Sequence, residues 1–211
     1  MTEENEQPTE EITKASLFEK IQMQDRNTAL WTILFALLGA FLYVGISMMP
    51  MPFIMVSILK FGLLPAVTII ALTGAIRGPI AGFISGYLGE VIYGLLVYNV
   101  IVTLTLPAVA YGIMGLIVGL TSYDFTNGRS LIKLAILSVV GFVFTILLSV
   151  VLAITVEGYS VMASIAFNML PLMTMGLLTL FFLTPVLARA WYEFMRKMRA
   201  IASAEIEPSE Q

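Results

Sequence analysis

Apolar residues run in long blocks along this chain, and polar residues gather between the blocks and at the two tails. The first block covers 28–47 and predicts a helix of about 20 residues, enough to cross about 30 Å of hydrocarbon at about 1.5 Å per residue. Trp31 suits an interface. Met48-Met49-Pro50-Met51-Pro52 closes the block, because proline cannot donate to a helical ladder and restricts the residue before it. Residues 51–61 are apolar but broken by prolines and Lys60, which predicts a loop folded against the bundle. Further helices are predicted over 63–76, 79–98, 102–121, 131–156 and 163–191. The helix over 63–76 is short for a span. Arg77-Gly78-Pro79 makes a tight turn after it, and the polar run Ser122 to Ser130 separates the fourth and fifth helices. The chain reads as one domain: an all-α polytopic membrane protein with six transmembrane helices.

The tails differ in kind. Residues 1–27 are polar and rich in Glu, without the basic start, short apolar run and cleavage site of a secretory signal. Residues 11–26 can be drawn as a surface helix with Ile12, Leu17 and Ile21 roughly on one side, but a solvated tail is the simpler expectation. Residues 192–211 are expected to form a second polar tail.

Composition agrees with the pattern. Of 211 residues 59% are hydrophobic and 12% charged, against about 45–50% and 25% in an average soluble domain. The mean hydropathy is +0.94. Between Leu30 and Ala188 the only charged residues are Lys60, Arg77, Glu90, Asp124, Arg129, Lys133 and Glu157. This excludes a disordered chain, a collagen and a nucleic-acid binder. Histidine and cysteine are absent, which excludes Cys/His zinc sites, haem on those ligands, iron–sulfur clusters, a Ser-His-Asp triad and disulfides. No metal, cofactor or catalytic residue is expected.

Six spans place both termini on one side. Lys14, Lys20, Arg26, Arg77, Arg129, Lys133, Arg189, Arg196, Lys197 and Arg199 then share a face, and only Lys60 falls opposite. The positive-inside rule makes that face cytoplasmic. The expected location is the plasma membrane.

The helix over 79–98 is the richest segment. Gly78, Gly82, Gly86 and Glu90 recur in steps of four, so consecutive members share a helical face. Glycines on one face let another helix approach closely. Gly112, Gly115 and Gly119 on the fourth helix read the same way. An ionised carboxylate in hydrocarbon costs about 2.5–3.5 kcal/mol even on insertion scales. Glu90 therefore needs a partner, a proton, a wet cavity or a ligand. Towards the outer face lie Lys60, Tyr93, Tyr98, Asn99, Glu157, Tyr159 and Asn168: one cation, two anions with Glu90, amides and aromatic rings. That mixture suits a small, partly aromatic polar ligand. The plainer alternative is an interfacial tyrosine belt and a solvated loop charge. Ala36 and Ala40 make a small-residue strip on the first helix, which from spacing alone reads as packing. There is no G-x-x-x-x-G-K-[ST] loop, no row of arginines, no K⁺-filter signature and no paired carboxylates in a span. The halves show no obvious repeat, unlike many secondary transporters.

Val56-Ser57-Ile58-Leu59-Lys60-Phe61-Gly62-Leu63-Leu64-Pro65-Ala66, then Gly78-Pro79-Ile80-Ala81-Gly82, then Gly86 and Gly89, then Tyr111-Gly112-Ile113-Met114-Gly115-Leu116-Ile117-Val118-Gly119-Leu120, resemble in order and spacing the substrate-binding (S) components of energy-coupling-factor (ECF) transporters. The resemblance implies capture of a vitamin or similar micronutrient from outside, at the outer helix ends and under the loop after the first helix. Lys60, Tyr98, Asn99, Glu157 and Asn168 match such places. It also implies docking of a transmembrane coupling (T) protein on the Ala36/Ala40 strip, with energy from a pair of cytoplasmic ATPases. The chain itself would be no enzyme. Gly89-Glu90-Val91 departs from the Asn or Asp that many relatives carry there. The alternatives are a stand-alone gradient-driven transporter or channel, a ligand-free membrane scaffold and, last, a membrane-embedded enzyme.

Overall fold

A computed structural model of the chain describes residues 26–50, 53–56, 59–99, 105–156 and 158–206. Helix α1 is Arg26–Ser47. A hairpin follows, strands β1 (Phe53–Val56) and β2 (Leu59–Gly62), paired antiparallel with Phe53 opposite Gly62 and Val56 opposite Leu59. Helices α2 (Pro65–Arg77), α3 (Pro79–Tyr98), α4 (Thr105–Gly119) and α5 (Gly128–Thr155) come next. The last helical run, α6, covers 161–206. It is α-helical over Val161–Ser164, Leu170–Leu172 and Leu178–Ile206, with π-helical turns at Ile165–Met169 and Met173–Leu177.

Among the described residues, four helical stretches are long and apolar enough to cross a membrane: Asn27–Ser47, Pro79–Tyr98, Gly128–Thr155 and Val161–Met198. The other two helices are shorter. At about 1.5 Å per residue, the 13 residues of α2 rise about 20 Å. Ala66, Val67, Thr68, Ile70, Ala71, Leu72, Thr73 and Gly74 of α2 are all buried, so protein surrounds much of that helix.

Local chemistry sets the element ends. Pro65 and Pro79 stand in the first turns of α2 and α3, where a missing N–H costs nothing. Gly78 between them has φ 93°, a conformation that glycine adopts without strain. Asn99 ends α3 in the left-handed region at φ 55°. Asn127 caps α5 by accepting from the Arg129 N–H at 3.0 Å, and Ser160 caps α6 by accepting from Ala163 N–H at 3.2 Å.

One expectation gains detail and two change. The expected folded loop carries a hairpin, Phe53–Val56 paired with Leu59–Gly62; pairing its own backbone groups is what an apolar segment at a membrane protein's edge requires. Helix α5 begins at Gly128, not at 131. Helix α6 does not stop at 191 but continues to Ile206, so most of the expected tail is helical. Glu193 pairs with Arg189 at 3.0 Å and Arg196 at 2.7 Å on that extension. Arg189 Nη1 also donates to the Phe125 and Thr126 carbonyls at 3.2 and 3.1 Å, tying α6 to the α4–α5 connection. In that connection the Thr126 hydroxyl and N–H, at 2.6 and 2.9 Å, hold the Asp124 carboxyl below its ordinary pKa. The expected surface helix over 11–26 and the start of the fourth helix at 102–104 lie outside the described residues, Arg26 excepted.

The centre of the bundle is a backbone-to-backbone contact. A Cβ placed on Gly82 would strike the Gly115 carbonyl, and one on Gly115 would strike the Gly82 carbonyl. Gly86 meets the Tyr111 carbonyl in the same way, and Gly74 of α2 meets Gly115. A Cβ on Gly119 would lie 2.5 Å from Gly78 and Pro79 backbone atoms, and one on Gly112 would lie 2.9 Å from the Phe83 ring. Gly78 differs from the others: a side chain there would meet open space, so its backbone conformation, not crowding, asks for glycine. Helix α5 joins α4 through Thr145, whose buried hydroxyl donates to the Ala110 carbonyl at 2.9 Å. Leu180, Phe142, Ile70, Leu134 and Met114 fill the surrounding core.

Gly115→Leu should lower the thermal unfolding midpoint in detergent by an amount equivalent to at least the ~1–3 kcal/mol typical of overpacking, because the obstacle is backbone. Gly45, with nothing near its missing Cβ, is the control: Gly45→Ala should be neutral or stabilising by up to ~1 kcal/mol.

Candidate functional site

Glu90 lies within the long apolar helix α3, eight residues before its end at Tyr98; Glu193, the other described carboxylate in such a stretch, is paired with Arg189 and Arg196 in the basic extension of α6. At about 1.5 Å per residue Glu90 sits about 12 Å below the end of α3. Tyr43 of α1 donates its hydroxyl to Glu90 Oε2. Gly89 makes this possible: a Cβ there would lie 2.8 Å from the Tyr43 ring. The sequence Gly89-Glu90 thus admits the ring with one residue and receives its hydroxyl with the next.

More rings continue the site. Tyr43 is buried, and its ring centre lies 6.1 Å from that of Tyr111 on α4. Tyr111 lies 6.5 Å from Phe142 on α5. Tyr93, one turn after Glu90, is half-buried and meets Tyr98 edge-on at 6.3 Å. Tyr98 is 60% exposed at the helix end. Tyr93 and Tyr111 are both within electrostatic range of Glu90. Groups from three helices, α1, α3 and α4, therefore gather about one carboxylate, and Phe142 of α5 backs the Tyr111 ring. Tyr43 fills one of the carboxylate's roughly four acceptor positions, so further donor or cationic partners can be accommodated.

The hairpin lies at this same end. Strand β2 packs against Leu170–Leu172 and the π turn Met173–Leu177 of α6. The Leu64 N–H, just after the hairpin, donates to Thr179 Oγ1 at 2.9 Å, and Thr179 donates onward to the Met175 carbonyl at 2.6 Å. Pro171 sits between the two π turns. It lacks a donor and crowds the preceding turn, and the wider turns on either side take up that conflict. Asn168 stands in the first π turn, half-buried. One turn before it, the buried Ser164 hydroxyl has no hydrogen-bond partner among the described residues.

The expected site residues divide accordingly. Glu90, Tyr93 and Tyr98 come together along α3. Asn99 is exposed and serves to end the helix. Asn168 belongs to the separate π-turn region under the hairpin. The side chains of Lys60 and Glu157 lie outside the described residues, although the Lys60 backbone is placed, opposite Met55 in the hairpin. Ala36 and Ala40 correct an expectation. Both are 0% exposed, so they do not present a strip for a docking protein. The same helix face carries Gly39, whose missing side chain leaves room for Thr73 and Ser85, and packing within the bundle uses it up.

Sequence reasoning missed Tyr43, Tyr111 and Phe142. A signal existed for the tyrosines: a phenol deep in an apolar span must find a partner for its hydroxyl, and Glu90 is the carboxylate at that depth. A hollow lies towards the opposite, basic end, between α1, α2 and α6. It has a volume of about 340 Å³ and is walled by Phe35, Leu38, Leu42, Ile76, Leu187 and Trp191. Comparison with protein families, curated proteins and solved structures finds no match to this chain.

Tyr43→Phe leaves the Glu90 carboxylate without its hydrogen bond. The expected loss is about 1–3 kcal/mol, the range for a buried polar group left unpaired. Adding Glu90→Leu should cost less than the two single effects summed; a double-mutant cycle by thermal unfolding in detergent checks this.

Proposed function

We propose that this chain is the substrate-capture subunit of an ATP-driven ECF-type importer, which takes a vitamin or similar small micronutrient at the outer face of the plasma membrane. The observation that carries the proposal is the Glu90 site: a carboxylate at membrane depth, ringed by tyrosines from several helices, at the end of the bundle that bears the hairpin. A few directed polar groups on an aromatic wall are what a small polar ligand needs. The motif order in α2, α3 and α4 supports the same reading.

In this proposal all six helices cross the membrane, the short α2 and α4 shielded by their neighbours. Both termini are cytoplasmic, because ten of the eleven Lys and Arg then share the inner face. The hairpin and Glu90 face outward. The chain hydrolyses no ATP. It hands its substrate on through a transmembrane coupling protein and a pair of cytoplasmic ATPases. With Ala36 and Ala40 buried, the coupling protein would meet the exposed side of α1 beside them, at Leu38 and Leu42 along the apolar hollow.

One observation favours a second reading. A lone membrane carboxylate bonded to a phenol is also a device for carrying a proton, as a stand-alone gradient-driven transporter would use. Nothing comparable favours a scaffold.

Affinity purification of the tagged chain from its native membranes in mild detergent, with mass spectrometry of what accompanies it, is the direct test. The proposal expects a second membrane protein and a pair of ATPases, and expects Leu38→Arg to lose them while the chain stays folded. Recovery of the chain without any ATPase, together with substrate uptake by proteoliposomes of the chain alone, would overturn it in favour of the gradient-driven reading.

A further inference from the structure

We infer that the Glu90 site takes an organic cation: a quaternary or ring nitrogen carrying one positive charge within an apolar outline. The inference rests on the reading of this end of the bundle as a capture site and adds the charge and class of what is captured. Its first support is the charge of the lining. Glu90 supplies a carboxylate, Tyr43 bonds to it, Tyr93 follows it on α3 and Tyr111 packs beside Tyr43, and the faces of such rings carry negative electrostatic potential. A positive nitrogen over such faces is attracted, more strongly where water is excluded. An anion meets repulsion from the carboxylate and from the rings together.

The second support is the position of the positive groups. Arg77, just before α3, is thirteen residues from Glu90, about 20 Å along the helix. Arg129 and Lys133 stand at the start of α5, and Arg189 is tied to the α4–α5 connection, all at that same basic end. Among the described side chains, none that hydrogen-bonds Glu90 is positive; the phenol of Tyr43 is its partner. A neutral donor satisfies one position of the carboxylate and brings no opposite charge to it; the side chain of Lys60, in the hairpin at this end, lies outside the described residues.

The third support separates an organic cation from a metal ion. Among the described residues no group of three His, Cys, Asp or Glu side chains comes together. A hard cation such as Mg²⁺ or Ca²⁺ needs about six or more oxygen ligands. One carboxylate and a few phenols supply too few, whereas an alkylated nitrogen needs a counter-charge and apolar walls. Exposure along α3 falls from Tyr98 at the helix end to half-buried Tyr93 and Glu90.

The test uses two pairs of probes that differ in charge and little in shape: choline against 3,3-dimethylbutan-1-ol, and N-methylpyridinium against toluene. Binding to the full chain in lipid nanodiscs is measured by calorimetry and by the shift in unfolding temperature. At least one cation should bind roughly tenfold or more tightly than its neutral partner. Glu90→Gln should abolish that preference, because its amide oxygen still accepts from Tyr43 and the fold is kept, while Glu90→Asp should retain part of it. No preference for either cation, or an equal preference in Glu90→Gln, would overturn the inference. Small molecules retained by the purified chain and released on denaturation distinguish the two levels of the argument. A neutral or anionic compound whose affinity falls in Glu90→Gln would overturn the cation class and leave capture standing. A preference for cations without any associated ATPase would keep the cation class and overturn the ATP-driven reading.

Discussion

The contact of Gly82 with Gly115 is the constraint from which the rest of the arrangement follows. Two helices whose backbones touch have no side chain between them to adjust the spacing. The direction of α4 along α3 is therefore fixed by main-chain atoms, and the tolerance is small. The next step along the row, Gly86 against the Tyr111 carbonyl, keeps the two helices together for another turn. The step after that is Glu90. There a carboxylate stands in place of a glycine before the row resumes at Gly94, and rings from α1 and α4 lie beside it. The close crossing and the polar site are two parts of one repeat.

The two ends of the bundle are held by different chemistry. At the basic end, Arg189 reaches the carbonyls of the α4–α5 connection, and Glu193 sits between Arg189 and Arg196. These groups are exposed, and each such pair contributes little, but together they orient the projecting part of α6. At the hairpin end the ties among the described residues include two partly buried ones, Tyr43 to Glu90 and Leu64 to Thr179. The second π turn of α6, Met173–Leu177, packs against β2, where a widened helix already departs from its regular ladder.

Much of this was legible in the residues themselves. Long apolar blocks, interrupted by prolines and by Gly78, determine helices of membrane length, because hydrocarbon leaves backbone groups no partner except each other. The four-residue rhythm of Gly78, Gly82, Gly86 and Glu90 determines that they share a face, since helical geometry is local. The charge of Glu90 among apolar neighbours marks it as a residue that must find a partner. What the rhythm could not supply was the partner's identity. Tyr43 lies 47 residues away, and only the packing of α1 over Gly89 brings it there. The same holds for Ala36 and Ala40: their spacing describes a smooth strip, but whether that strip faces lipid or the bundle depends on the rotation of α1, which Gly39, Thr73 and Ser85 decide. The hairpin and the π turns also belong to the tertiary level. Residues 53–62 pair with each other and pack on α6, and Pro171 is absorbed by a helix that the neighbouring elements hold in place. Local sequence fixes periods and breaks; side-by-side contacts between distant segments fix rotation, partners and depth.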